Sequence, residues 1–112
     1  MPANRLASTW LPVVVWAGVI FALSSVPSLS SGLGSWDVAL RKLAHVSEYA
    51  VLGALLRRGL PAGPAVLAGV LYAVSDELHQ TFVPGRHGAP LDVTIDGFGI
   101  VIGVLLVQRA RR

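Results

Sequence analysis

The apolar residues of this chain fall into four long blocks, which short stretches rich in Gly, Pro and Ser separate. The blocks lie at about residues 8–24, 38–56, 64–80 and 92–107. Each approaches the ~20 mostly apolar residues that a helix needs to cross a bilayer. The separating stretches contain residues that end helices. The pattern therefore predicts an all-α protein, an integral membrane bundle of four transmembrane helices in a single domain over residues 1–112.

Composition supports this class and excludes others. Hydrophobic residues make up 54% of the chain and charged residues only 13%, whereas an average soluble domain is about 25% charged. This excludes a disordered chain, a coiled coil and a soluble nucleic-acid-binding domain. The chain has no cysteine, so disulfides, thiolate metal sites and a cysteine nucleophile are excluded too.

The basic residues predict the orientation. With the N-terminus inside, six of the nine Lys and Arg residues are cytoplasmic, namely Arg5, Arg57, Arg58, Arg109, Arg111 and Arg112. Because basic residues concentrate on the cytoplasmic side, an N-in/C-in topology is favoured. The net charge of +3 then indicates topology and no nucleic-acid partner. Alternatively, the first block is a cleaved signal peptide, and residues 1–24 are absent from the mature protein.

Several polar residues interrupt the predicted helices, where a charge near the bilayer centre costs ~2.5–3.5 kcal/mol on insertion scales. They recur at helical spacing on one face of each helix, as Arg41, His45 and Glu48, then Tyr72, Asp76, His79 and Gln80, then Asp92 and Asp96. We expect one polar layer in the outer third of the bilayer. Gly99 and Gly103 continue the last stripe and predict close approach of a neighbouring helix.

Smaller expectations concern single residues. Arg41, Lys42 and Arg86 would form a basic rim suited to phosphate or carboxylate above the polar layer. Asp37 and Asp92 are expected to cap the second and fourth helices. Glu77 lies off the Asp76 face and is equally compatible with a solvated or a functional position. Trp10, Trp16 and Trp36 are expected to face lipid or the interface.

Two runs carry a family resemblance: KLAHVSEYAVLG (residues 42–53) and YAVSDELHQTFVPGRHGAPLDVTIDGFG (residues 72–99). They resemble the VanZ-like membrane proteins, a family named for a teicoplanin-resistance accessory protein. The family motif falls on Lys42, His45, Glu48, Tyr49, Asp76, Glu77, Gln80, Phe82, Pro84, Arg86, Asp92 and Asp96. The resemblance implies a multi-pass protein of the bacterial cytoplasmic membrane with a role in the cell envelope and in glycopeptide tolerance. It does not imply a named reaction.

The polar layer permits three interpretations. In the first, an enzyme acts on the headgroup of an anionic envelope lipid or a polyprenyl-phosphate-linked cell-wall precursor. Its acid or base would be His45 or His79, oriented by Glu48 or Asp76. The substrate-binding residues would be Arg41, Lys42, Gln80, Arg86, Asp92 and Asp96. A less favoured variant places a divalent metal between Glu48, Asp76, His79 and Asp96.

The second interpretation is a non-enzymatic binder of lipid or drug, or a small proton-coupled transporter. A transporter would require a homodimer, because four short helices are few for alternating access. In the third interpretation, the polar layer only holds the helices in register. Interhelical hydrogen bonds in membranes average ~0.6 kcal/mol in one measured system, which is a small gain for so many titratable groups. The sequence leaves these alternatives open.

Overall fold

A computed structural model describes residues 2–25, 35–83 and 90–111. These residues form four helices, α1 (Pro2–Ser24), α2 (Ser35–Gly59), α3 (Ala62–Gln80) and α4 (Pro90–Ala110). The all-α prediction is confirmed, and each helix contains one predicted apolar block. α2 begins at Ser35, and the side chain of Asp37, which was expected to cap this helix, lies outside the described residues.

Two of the helices are long and apolar enough to cross a membrane, at residues Arg5–Ser24 of α1 and Leu91–Ala110 of α4. Large apolar side chains on both helices point outward, among them Leu11 and Phe98. The described parts of α2 and α3 do not meet the same requirements of length and hydropathy. Within the described residues, two candidate spans are thus identified by length and composition.

The most extensive helix pairing joins α2 and α4, and glycines make it possible. A Cβ atom on Gly99 would lie 2.5 Å from the carbonyl oxygen of Val46. One on Gly103 would collide with the carbonyl oxygen of Ala50, and one on Gly53 with backbone atoms of Ile100. The backbones approach closely because these positions have no side chain, which confirms the close approach predicted for Gly99 and Gly103.

The core lies where α2, α3 and α4 meet, and α1 packs mainly on α2. Trp10 and Trp16 are half-buried and pack against this core, so their rings do not face lipid alone, and their expected position at the interface stays a prediction. The Trp16 indole nitrogen donates a hydrogen bond to the carbonyl oxygen of Glu48 at 2.8 Å. An indole N–H in apolar surroundings needs such an acceptor, and this bond attaches α1 to α2. The Trp36 side chain lies outside the described residues.

Arginines connect the helices at the other end of the bundle from the polar layer. The Arg57 side chain donates to Gln108 of α4 at 3.2 Å, and the Arg58 side chain donates to the carbonyl oxygen of Ser8 in α1 at 3.0 Å. Arg111 reaches the carbonyl oxygens of Arg57 and Arg58, each at 3.4 Å. The fold therefore gathers basic side chains of α2 and of Arg111, which follows α4, at one end of the bundle, where Arg58 also contacts α1.

Candidate functional site

Two pairs, each of one basic and one acidic side chain, follow the α2–α4 seam. The Lys42 ammonium lies 3.3 Å from a carboxylate oxygen of Asp92, and Nδ1 of His45 lies 3.3 Å from one of Asp96. The exposed fraction of the side chains falls from 44% and 30% in the first pair to 21% and 1% in the second. The seam is thus open at Lys42 and closed at Asp96. Asp92 lies in the first turn of α4 and pairs with Lys42, so the capping prediction is wrong.

The partner of His45 is Asp96. The enzyme interpretation expected Glu48 or Asp76 to orient the imidazole, whereas the carboxylate beside His45 is that of Asp96. Asp96 takes this position because α4 lies closest to α2. Their two atoms are within ion-pair distance, but the ring is not aligned for a hydrogen bond. Among the described residues, no donor hydrogen bonds to either carboxylate oxygen of Asp96.

A second buried carboxylate lies between α2 and α3. The hydroxyl of Tyr49 donates a hydrogen bond to Oδ2 of Asp76 at 2.9 Å, and the Gln80 amide donates to the same oxygen at 3.4 Å. Tyr49 is fully buried and Asp76 is 3% exposed. Oδ1 of Asp76 has no hydrogen-bond donor in the described part of the chain. Hydrogen bonds from the described residues therefore reach only one of the two carboxylate oxygens of Asp76.

Tyr49 was not among the predicted catalytic or substrate-binding residues, although the family motif includes its position. One signal in the sequence could have identified it. Tyr49 follows His45 by four residues, which places it on the same face of α2. A tyrosine on a polar face between buried acids is a natural hydrogen-bond donor.

His79 lies apart from the polar cluster, which consists of Lys42, His45, Tyr49, Asp76, Gln80, Asp92 and Asp96 together with the neighbouring Arg41, Glu48 and Glu77. Its Nε2 atom lies 2.9 Å from the hydroxyl of Ser25, and its ring stacks on Phe21 with centroids 4.3 Å apart. The hydroxyl of Tyr72 likewise donates to the carbonyl oxygen of Ala17 in α1. The predicted polar face of α3 is therefore divided, because Tyr72 and His79 face α1 while Asp76 and Gln80 face the α2 side.

The remaining predicted site residues differ in their exposure. Glu77 is buried and Glu48 is half-buried, whereas Arg41 is exposed. Arg86 lies outside the described residues, so the third member of the predicted basic rim is not placed. In the parts of the chain that the structure describes, no three His, Asp or Glu side chains converge to hold a metal ion. The proposed metal set is divided because His79 faces α1.

The charge balance at this end of the bundle is acidic in the described residues. Two permanent cations, Arg41 and Lys42, accompany five carboxylates, Glu48, Asp76, Glu77, Asp92 and Asp96. The most deeply placed groups are acceptors, whereas Arg41 is exposed and Lys42 lies at the open end of the α2–α4 seam. This arrangement can bind a phosphate at its mouth and accept hydrogen bonds further in. The pairing of His45 with Asp96 is also suited to proton transfer.

Comparison with known proteins places the chain in a family. The sequence model of the VanZ/LLP1 family matches residues 7–111. A search of curated proteins and a search of solved structures found no match. The matched range contains all four apolar blocks and every residue of the polar cluster described above. The chain therefore belongs to the VanZ/LLP1 family.

Proposed function

We propose that this chain is a multi-pass protein of the bacterial cytoplasmic membrane, with four transmembrane helices and both ends of the chain in the cytoplasm. The arginines that connect α1, α2 and α4 support this orientation, because basic residues concentrate at the cytoplasmic face. The polar cluster then lies toward the outer leaflet. At that height it meets the headgroups of membrane lipids and of lipid-linked cell-wall precursors.

We further propose that the polar cluster binds the phosphate-bearing headgroup of an envelope lipid. The half-exposed Lys42 ammonium at the open end of the α2–α4 seam is the contact for the phosphate. The observation that carries the assignment of a ligand site is the pair of buried carboxylates, Asp76 and Asp96, which have oxygens without a hydrogen-bond donor among the described residues. A buried acceptor without a partner costs about 1–3 kcal/mol. A network that served only to hold helices together would pair these oxygens. Unpaired groups of this kind are typical of sites that a ligand completes.

Acid–base chemistry on the bound headgroup is the second candidate, and the pairing of His45 with Asp96 favours it. Catalytic hydrogen bonds are often long before a substrate binds, so the 3.3 Å separation of His45 Nδ1 from Asp96 is compatible with a histidine that accepts and returns a proton. Binding of a cell-wall precursor would also connect the chain to the glycopeptide tolerance that the family resemblance implies.

Topology is tested first by cysteine labelling, since the native chain has no cysteine to remove. Phe82 follows α3 and is 83% exposed, and Arg111 follows α4 at the opposite end. In intact cells, a membrane-impermeant maleimide should label Phe82→Cys. It should label Arg111→Cys only after permeabilisation. The reverse pattern would contradict an outward-facing site.

Ligand binding is tested with purified protein in one detergent. Phosphatidylglycerol and a polyprenyl phosphate should raise the unfolding midpoint more than phosphatidylcholine does. Lys42→Gln should reduce this increase in the unfolding midpoint, because it removes the cation at the open end of the α2–α4 seam. The matched control is Arg111→Gln, which removes a cation from the opposite end. Equal loss in both variants would point to nonspecific attraction of anionic lipid.

A further inference from the structure

The polar cluster is poorly suited to a phosphate group alone. In the described residues its carboxylates outnumber its permanent cations, and Lys42 is already paired with Asp92 at 3.3 Å. A bare phosphate would gain the attraction of Lys42. It would also approach carboxylates of the same sign of charge, which opposes binding. A ligand that fits this cluster therefore needs a group that carboxylates attract, such as a hydrogen-bond donor.

The buried carboxylate oxygens of Asp76 and Asp96 indicate which kind of group the ligand would supply. Oδ1 of Asp76 and both carboxylate oxygens of Asp96 are acceptors, and they receive no hydrogen bond from any described group. The two side chains are more than nine-tenths buried, so bulk water does not satisfy them. Acceptors in this position are completed by O–H or N–H donors.

We propose, on the basis of the lipid-binding function above, that the site selects a headgroup in which a hydroxyl or amino group accompanies the phosphate. The phosphate lies beside Lys42 at the open end of the α2–α4 seam. The hydroxyl or amino group points inward and donates to Asp96 or Asp76. Lys42 contacts Asp92, and Asp92 and Asp96 are four residues apart, about 6 Å along a helix. A glycerol or ethanolamine headgroup together with one hydrogen bond reaches over a distance of that order.

The test uses lipids that differ only in their donors. Phosphatidylglycerol and phosphatidylmethanol carry the same charge, but only the glycerol headgroup has hydroxyl groups. Phosphatidylethanolamine and phosphatidylcholine are both zwitterionic, but only the first has N–H donors. Binding to the purified protein is measured by titration of each lipid in detergent. We expect the donor-bearing lipid of each pair to bind about tenfold tighter or more, the factor from about 1.4 kcal/mol for one hydrogen bond to a charged acceptor.

Two variants locate the effect. Asp96→Leu removes both acceptor oxygens, and should reduce the preference for donor-bearing lipids to less than threefold. The control is Thr94→Val on the same helix, where the side chain is exposed, and it should keep the wild-type preference. If Asp96→Leu does not fold, the comparison of the two lipid pairs on wild-type protein decides by itself.

The outcomes separate the two proposals. Equal affinity within both pairs, with each phospholipid binding specifically through Lys42, would overturn the donor selection and leave the lipid-binding function intact. Absence of specific binding by any phospholipid or polyprenyl phosphate would overturn both. Donor preference that persists in Asp96→Leu and in Asp76→Leu would place the recognition elsewhere and overturn the assignment to these carboxylates.

Discussion

Replacement of Gly103 by alanine tests the close packing of α2 against α4, on which the site depends. The Cβ atom of Gly103 would collide with the carbonyl oxygen of Ala50. The obstacle is backbone, so no side-chain rotation relieves it and the two helices must separate. By contrast, a Cβ atom on Gly18 would have no other atom within 4 Å. Gly18→Ala is therefore the matched control, with the same chemical change on an exposed face.

The expected difference follows from two opposing effects. Overpacking costs typically 1–3 kcal/mol and occasionally more, and a rigid backbone obstacle places Gly103→Ala at about 3 kcal/mol or above on that scale. Alanine is favoured over glycine inside a helix by about 1 kcal/mol. We therefore expect a net loss of about 2 kcal/mol for Gly103→Ala and a gain of up to about 1 kcal/mol for Gly18→Ala.

The assay is the unfolding midpoint of purified protein in one detergent, with helix content followed by circular dichroism. Gly103→Ala should unfold at a lower temperature than wild type, and Gly18→Ala at an equal or higher temperature. Gly97→Ala provides a second control, because its nearest contact would be an ordinary 3.8 Å from Val70. If Gly103→Ala were as stable as Gly97→Ala, the close α2–α4 seam described here would be wrong.

Two further predictions concern hydrogen bonds. Tyr49→Phe removes a buried hydrogen-bond donor to a carboxylate, so it should lower the free energy of unfolding by about 1.5–3 kcal/mol. Tyr72→Phe removes a hydrogen bond to a backbone carbonyl and should lower it by about 0.5–1.5 kcal/mol. Equal losses in denaturant titrations would contradict the role of Tyr49. Arg57→Ala removes two partly buried bonds and should lower the unfolding midpoint. Arg111→Ala removes only two long, exposed hydrogen bonds and should leave that midpoint nearly unchanged. A larger decrease for Arg111→Ala than for Arg57→Ala would argue against this arrangement of the arginines.

The pairings within the site could not be predicted from the spacing of polar residues. Periodicity indicates which residues share a face of one helix, but it does not say which neighbouring helix that face contacts. His79 and Asp76 share a face by spacing, yet a modest rotation directs His79 to α1 and Asp76 toward α2. The same uncertainty left the partner of His45 open between two acids, when Asp96 takes that place.

The sequence by itself determined the elements and the residues available for chemistry. Apolar blocks of helical length predicted four helices, and glycines four residues apart predicted a close helix contact at Gly99 and Gly103, because both signals depend only on local spacing. The tertiary structure decided which carboxylate oxygens are buried without a donor among the described residues, that Lys42 lies at the open end of the seam, and that Trp16 and Tyr49 form specific hydrogen bonds. These features arise from how each helix is rotated against its neighbours. That rotation is set by packing of all four helices together, to which residues distant in sequence contribute jointly.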